Sequence, residues 1–349
     1  MNDINNYEYL MKSRPHVVIL GAGASCATIP NGDKNRKKIS AMSGFIDKLG
    51  LNDILSSVKL ATESDNLEDI YMELDERSAT EPEFREVKEK LEMIIRNYMS
   101  SYELPDEPTI YDFLIMSLTG KDLIVTFNWD PLLVQAIQRM QHFTRNLPYV
   151  AFLHGNVAVG YCEKDNIMGN VGQKCSKCGE PLPPMKLLYP VKEKNYSSDI
   201  AIAKSWKIFS NTLKHAYMIT IFGYSAPKSD AEAIAMMRKA WGAVDDRKLE
   251  EIEIVDIRAE DDVLNSWNEF VHTHHYSYHD DFFDSTLAKF PRRTCEATFD
   301  RLMNCVWLDG EKGFKPNMDY DDIYEITHDL IEEEMLMRGK KVPLSNPYK

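Results

Sequence analysis

The stretch His16-Val-Val-Ile-Leu-Gly-Ala-Gly-Ala-Ser25 decides the fold. Its first half is short, apolar and β-branched, the pattern of a strand buried on both faces. Its second half is a glycine turn opening into a helix. Downstream, Pro30-Asn-Gly-Asp-Lys-Asn35 is rich in turn formers. From about residue 40 to 105 apolar residues fall at helical spacing, with Phe84, Val87, Leu91, Ile94, Ile95 and Tyr98 recurring every three or four positions. That pattern predicts a helical insertion. Strand patterns return at Asp122–Phe127, Tyr149–Leu153, Ala216–Phe222 and Glu251–Asp256. Helices are expected over Pro131–Met140, over Trp206–Lys214, and from Ser229 to Trp241. Strands alternating with helices specify a parallel α/β sheet covered on both faces. Residues 156–196, rich in Gly, Lys, Cys and Pro, read as a small irregular module. The chain from 261 to 349 reads as a helical, acidic C-terminal region, either an assembly surface or packing on the core.

The 349 residues include 41 basic and 55 acidic side chains, a net charge of −14, and 44% hydrophobic residues. This is the composition of a soluble globular protein and excludes a disordered or fibrous chain. The acidic balance argues against sequence-independent nucleic-acid binding, which needs Lys and Arg against phosphates. Of the cysteines only Cys175 and Cys178 are close in sequence, so there is no disulfide framework. The opening residues hold no apolar signal region, and no run approaches the ~18–20 apolar residues of a membrane span. The expected address is cytoplasmic.

Ligands of parallel sheets sit at the carboxyl ends of the strands, which here follow Leu20, Phe127, Leu153, Phe222 and Val255. At the first, the Gly21-Ala22-Gly23-Ala24-Ser25 turn brings backbone N–H groups and a hydroxyl to where a pyrophosphate is held. Cys26 stands where the dinucleotide fingerprint has its third glycine, and Asp47, in an apparent helix, is all that occupies the place of its ribose-binding acid. At the second, Asn128 and Asp130 project from the same face of an extended segment, able to hold ribose hydroxyls or a water. Asp130 is equally suited to cap the helix that follows. At the third, His154-Gly155 offers an imidazole with a pKa near working pH, suited to general-base work. At the fourth, Gly223-Tyr224-Ser225 can approach a phosphate or ribose through its backbone. At the last, Asp256 can accept from an adenosine ribose.

Cys175-Ser-Lys-Cys178 is half of a zinc-knuckle pattern for which Cys162 is the one upstream candidate ligand; a pair of reduced surface thiols is the other reading. The fourth ligand is missing or is not a cysteine. The His272–His279 stretch and the Glu332–Glu334 run read as solvated polar segments.

In this order the motifs resemble the sirtuin-like family of NAD-dependent enzymes, over about residues 14–260. The family's glycine turn looks like Gly21–Ser25, its Thr-x-Asn-x-Asp strand end like Thr126-Phe-Asn-Trp-Asp130, its His-Gly pair like His154-Gly155, and its Gly-Thr-Ser strand end like Gly223-Tyr224-Ser225. The resemblance implies a Rossmann-like sheet, a cysteine-bearing zinc module and NAD as substrate. It carries catalytic roles to Asn128, Asp130 and His154, and cofactor contacts to Gly21–Ser25, Thr126, Gly223, Tyr224, Ser225 and Asp256. Three departures point away from the deacylating members. Ile29-Pro-Asn-Gly-Asp33 replaces their Asp-Phe-Arg segment, the first cysteine pair is reduced to Cys162, and Leu187–Glu193 replaces their Phe-Gly-Glu segment. The sequence looks more like bacterial sirtuin-like subunits of anti-phage defence, which hydrolyse NAD to nicotinamide and ADP-ribose. That resemblance implies a homo-oligomer and a partner such as a nuclease or a DNA-translocating ATPase. An NAD-dependent lysine deacylase and a non-catalytic NAD or ADP-ribose sensor are the alternatives; a hydride-transfer dehydrogenase comes last.

Overall fold

The computed structural model describes residues 3–39, 44–189, 196, 199–226, 230–243, 247, 249–267, 270–271 and 276–349. The opening stretch folds as its residues dictate. His16–Leu20 is β1, buried along its whole length, and Ala22–Thr28 is the helix after the turn. The further strands among the described residues are β2 (Leu123–Thr126), β3 (Tyr149–Phe152), β4 (Val159–Cys162), β5 (Ile167–Asn170), β6 (Met218–Phe222), β7 (Glu251–Val255) and β8 (Tyr276–His279). Six form one sheet in the order β3-β2-β1-β6-β7-β8, parallel throughout, while β4 and β5 make an antiparallel hairpin in the small module.

Both faces of the sheet are covered, which is why β1 reads as an unbroken apolar run. Val17 and Ile19 enter a core with Trp206, Phe209 and Trp267, and Val18 and Leu20 enter another with Tyr111, Leu132 and Phe314. The chain steps outward from β1 to β2 and β3, then crosses to the other side of β1 for β6 and β7. The strand order therefore reverses between β1 and β6, where the loops at the carboxyl ends part into a crevice.

The insertion between β1 and β2 is helical, over Phe45–Lys48, Asn52–Leu55, Leu67–Ser78 and Pro82–Ser100. Phe84, Val87, Leu91 and Ile95 make the buried stripe that their spacing indicates. They share a core with Trp129, Val157, Leu187 and Tyr189, so the insertion packs on the loops at the sheet's carboxyl edge.

The C-terminal region is helical over Glu260–Trp267, Thr286–Lys289, Thr294–Met303 and Tyr320–Met337, with one strand besides. Tyr276–His279, expected to be a solvated stretch, pairs in parallel with β7 as the edge of the sheet. Its half-buried Tyr-Ser-Tyr-His pattern carries too little apolar signal to declare a strand. Residues His272–His275 of that stretch lie outside the described residues.

The Glu332–Glu334 run also departs from expectation. Glu332 is exposed, but Glu334 is buried. Its Oε1 accepts from Arg292 Nε at 2.9 Å and from Arg293 Nη1 at 2.7 Å, and both arginines are themselves buried. The residues that reverse the solvated reading lie 42 and 41 positions away in sequence, out of reach of any local pattern. No helix among the described residues is long and apolar enough to cross a membrane.

Under the sheet, His16 is fully buried. Thr220 Oγ1 donates to Glu253 Oε2 at 2.9 Å, so His16 Nε2, 2.8 Å from that hydroxyl, must be its N–H donor. Burial, only partly offset by Asp122 and Glu253, lowers the His16 pKa from 6.5 to about 4. Between these values the unfolded chain binds more protons than the folded one, so stability falls as pH drops through that window. The expected loss from this group is roughly 1–3 kcal/mol. His16→Gln should flatten the slope in urea titrations run across those pH values; an unchanged slope would contradict the assignment.

Candidate active site

All five strand ends singled out in the sequence open into one cavity of about 790 Å³. Gly21, Ala22, Gly23 and Ser25 line it from β1, Asn128 and Asp130 from β2, and His154 from β3. Gly223, Tyr224 and Ser225 line it from β6, and Asp256 from β7. Two expected contacts are not in its lining. Ala24 lies in the core, and Thr126 is buried with its Oγ1 accepting from the Asn128 N–H at 3.0 Å.

The β1 and β6 turns press against each other. Gly23 N–H donates to Gly223 O at 2.9 Å, and Gly21 N–H donates to Phe222 O at 3.0 Å. A Cβ on Gly23 would stand 2.8 Å from Gly223 Cα; one on Gly223, whose φ is +59°, would stand 2.4 Å from Ala24 N. The glycines are thus required by backbone contact. The contact also corrects the phosphate expectation. The N–H groups of Gly21 and Gly23 are taken by the β6 turn, and that of Ala24 by Gly21 O at 3.1 Å.

Ser25 is a hub rather than a free hydroxyl, a second correction. Its Oγ donates to Asp130 Oδ2 at 2.8 Å and lies 2.7 Å from Tyr111 OH and 3.0 Å from Asn128 Nδ2. One proton donated and two accepted satisfy it completely. Asn128 Nδ2 also donates to Gly21 O at 2.7 Å; because a carbonyl can only accept, this orients the amide and presents Oδ1 as its acceptor. Burial raises the Asp130 carboxyl, while Ser25 and the Leu132 N–H hold it down in part. The Leu132 bond, at 3.1 Å, is accepted by Asp130 from the position before the N-cap, which is Pro131 rather than Asp130 as expected. Asp130 therefore serves both the helix start and the hub. Tyr111 carried no sequence signal, sitting in the apolar helix Ile110–Ser117.

His154 is buried beside groups that no motif declared. Its Nε2 lies 3.7 Å from Asp230 Oδ1 and 3.5 Å from Tyr196 OH. Tyr224 OH donates to Asp230 Oδ2 at 2.6 Å, and Phe127 stacks on Tyr224 at 4.2 Å while meeting the imidazole edge-on at 4.8 Å. His154 and Asp230 both line the cavity. At the far side, Arg258 grips Asp256, with Nε to Oδ1 at 2.9 Å and Nη2 to Oδ2 at 2.6 Å. Burial raises the Asp256 carboxyl, and Arg258 more than offsets it, leaving it below its ordinary range.

In the small module Cys162, Cys175 and Cys178 meet Asp165, with their ligand atoms all within 4.8 Å of one another. Asp165 offers the fourth candidate ligand, one that cysteine spacing does not reveal. The Cys162–Cys178 Sγ separation of 3.8 Å matches the edge of a tetrahedron built on ~2.3 Å zinc–sulfur bonds. Asp165 Oδ2 stands 3.2 Å from Cys175 Sγ and 3.5 Å from Cys162 Sγ. Three thiolates and a carboxylate are a donor set for zinc, which would pin the β4–β5 hairpin and take no part in chemistry at the cleft. The chain is expected to purify with about one zinc per molecule. Elemental analysis after dialysis should find it lost from Cys175→Ser; retention of zinc there would contradict the site.

No family model matches the chain, and no curated protein matches it. Among solved structures it is similar to a Sir2 homolog–NAD complex at 17% identity, covering 86% of this chain and 96% of that one, TM-score 0.42. It is similar also to Sir2 bound to acetylated peptide at 14% identity, covering 87% and 99%, TM-score 0.36. A complex of Sir2 with p53 peptide and NAD+ aligns at 15% identity, covering 87% and 99%, TM-score 0.36. At these identities the likeness is one of chain arrangement alone.

Proposed function

We propose that this chain hydrolyses NAD at the bond between nicotinamide and ribose. The observation that supports it most is the convergence of the glycine turn, Asn128, His154, Ser225 and Asp256 on one cavity at the sheet's switch point. In this reading the N–H groups of Ala22 and Ser25 hold the pyrophosphate, and Gly223, Ser225 and Asp256 hold the adenosine half. The bond breaks through an oxocarbenium-like transition state, as in glycoside hydrolysis. Asn128 Oδ1 orients the attacking water or a ribose hydroxyl, with Ser25, Tyr111 and Asp130 keeping the amide in place. His154 takes the water's proton as the oxygen bonds to the ribose carbon; nicotinamide leaves with the bonding pair, neutral. Asp230 stabilises the imidazolium so formed.

The departures from the deacylase segments favour water over an acyl-lysine as the nucleophile. They support reading the chain as an NAD-depleting anti-phage effector that acts as an oligomer or with a partner protein. Product analysis tests this reading. Nicotinamide and ADP-ribose should accumulate in equal amounts from NAD alone; tight NAD binding without products under every activating condition would replace it with a sensing subunit.

A further inference from the structure

We propose, resting on the reading that the cleft takes NAD, that its β7–β8 end selects an adenosine ribose with a free 2′-hydroxyl and rejects the 2′-phosphorylated form. Crossing the sheet from β3 to β7 takes four strand spacings, about 19 Å at the usual interval. His154 follows β3 and Asp256 follows β7, so a group that meets Asp256 lies remote from the bond that breaks. Discrimination there acts on which dinucleotide enters, not on the chemistry.

Asp256 and Arg258 line this end from the turn after β7, and Asp280 and Asp281 line it from the turn after β8. Arg258 is the one residue here suited to a phosphate, because a guanidinium fork matches phosphate oxygens two at a time. The side of that fork formed by Nε and Nη2 is taken by Asp256, at 2.9 Å to Oδ1 and 2.6 Å to Oδ2. The Arg258 backbone N–H also donates to Oδ1, at 3.0 Å. Tyr278 OH, within hydrogen-bond reach of both Asp256 O and Arg258 O, fixes the turn that carries the pair.

Charge then sorts the two ligands. The Arg258 cation is matched by Asp256, whereas Asp280 and Asp281 are exposed and form no ion pair among the described residues. A 2′-phosphate would bring a further charge of about −1.5 to −2 beside these carboxylates, with no proton to donate at neutral pH. A ribose hydroxyl brings no charge and donates to a carboxylate oxygen, as it does to the acid of other dinucleotide sites. The same pair of residues holds the opposite preference in reserve. Without Asp256, the Arg258 fork is released to take the phosphate.

The test compares nicotinamide release from NAD and NADP by the full chain, with calorimetry of ADP-ribose and its 2′-phosphate alongside. The parent should prefer NAD by about 100-fold or more in kcat/KM, and ADP-ribose by a similar factor in affinity. Asp256→Ala should narrow both preferences by about tenfold or more through a gain on the phosphorylated ligand. Adding Arg258→Ala should cancel that gain, which a merely structural role for Asp256 does not predict. Asp280→Asn, at the exposed rim, should narrow the preference by about threefold, and it decides the matter if Asp256→Ala fails to fold. Ligand bound but not cleaved would remove the hydrolase reading and leave the affinity ratio to test the selectivity. Equal binding of the two forms, failure of both to bind, an unchanged ratio in Asp256→Ala and Asp280→Asn, or a gain that survives loss of Arg258 would each overturn the proposal.

Discussion

His154→Ala is expected to lower the rate of NAD cleavage by about 10²–10⁴-fold, the usual contribution of a positioned acid–base group. The loss should fall on kcat with little change in KM, because the imidazole stands beside Asp230 and Tyr196 rather than at the phosphate turn. Asp230→Asn should share the defect in smaller measure. Its oxygens face His154 at 3.7 Å and Tyr224 at 2.6 Å, so its removal loosens the imidazole without deleting it. Stopped assays of nicotinamide against NAD concentration check both variants. Full kcat in His154→Ala would remove the base from the account and leave Asn128 to orient an unassisted water.

The largest stability effect is expected at a residue that no local pattern distinguishes. Glu334→Leu should destabilise the fold by about 3–5 kcal/mol, because it strands the buried Arg292 guanidinium without its anion and leaves Arg293 only Glu333. Arg292 and Arg293 both donate to Glu334 Oε1, and Arg292 also reaches Leu118 O and Asn146 O, tying the C-terminal helix to the loops flanking β2. Glu332→Ala, two residues earlier on the exposed face, should stay within about 0.5 kcal/mol of the parent. Urea unfolding of the pair makes the comparison, and equal midpoints would show that the cluster contributes nothing.

These two cases mark what can be read from sequence and what cannot. The sheet was legible because a strand buried on both faces must be a short continuous apolar run, and Val17 to Leu20 have no other use. The site's backbone frame was legible for a related reason: glycines after such runs mark where two turns meet, as Gly23 and Gly223 do. The partners of the site residues were not. Tyr111, Tyr196 and Asp230 are joined to Ser25 and His154 only by tertiary packing, across 86, 42 and 76 positions. Asp165 completes the cysteine cluster without belonging to any cysteine spacing. Glutamates in an acidic helix look solvated until arginines from another element arrive. The commitments of Ser25 Oγ and of the glycine N–H groups follow from how closely two turns approach, a distance that no residue pattern encodes.

The most direct test of the central claim is nicotinamide release from NAD by the purified chain, with and without an acetyl-lysine peptide. Release is expected without peptide, at a rate that peptide leaves unchanged, and should be abolished by Asn128→Ala. Release that appears only when the peptide is present would contradict the claim and make the chain a deacylase.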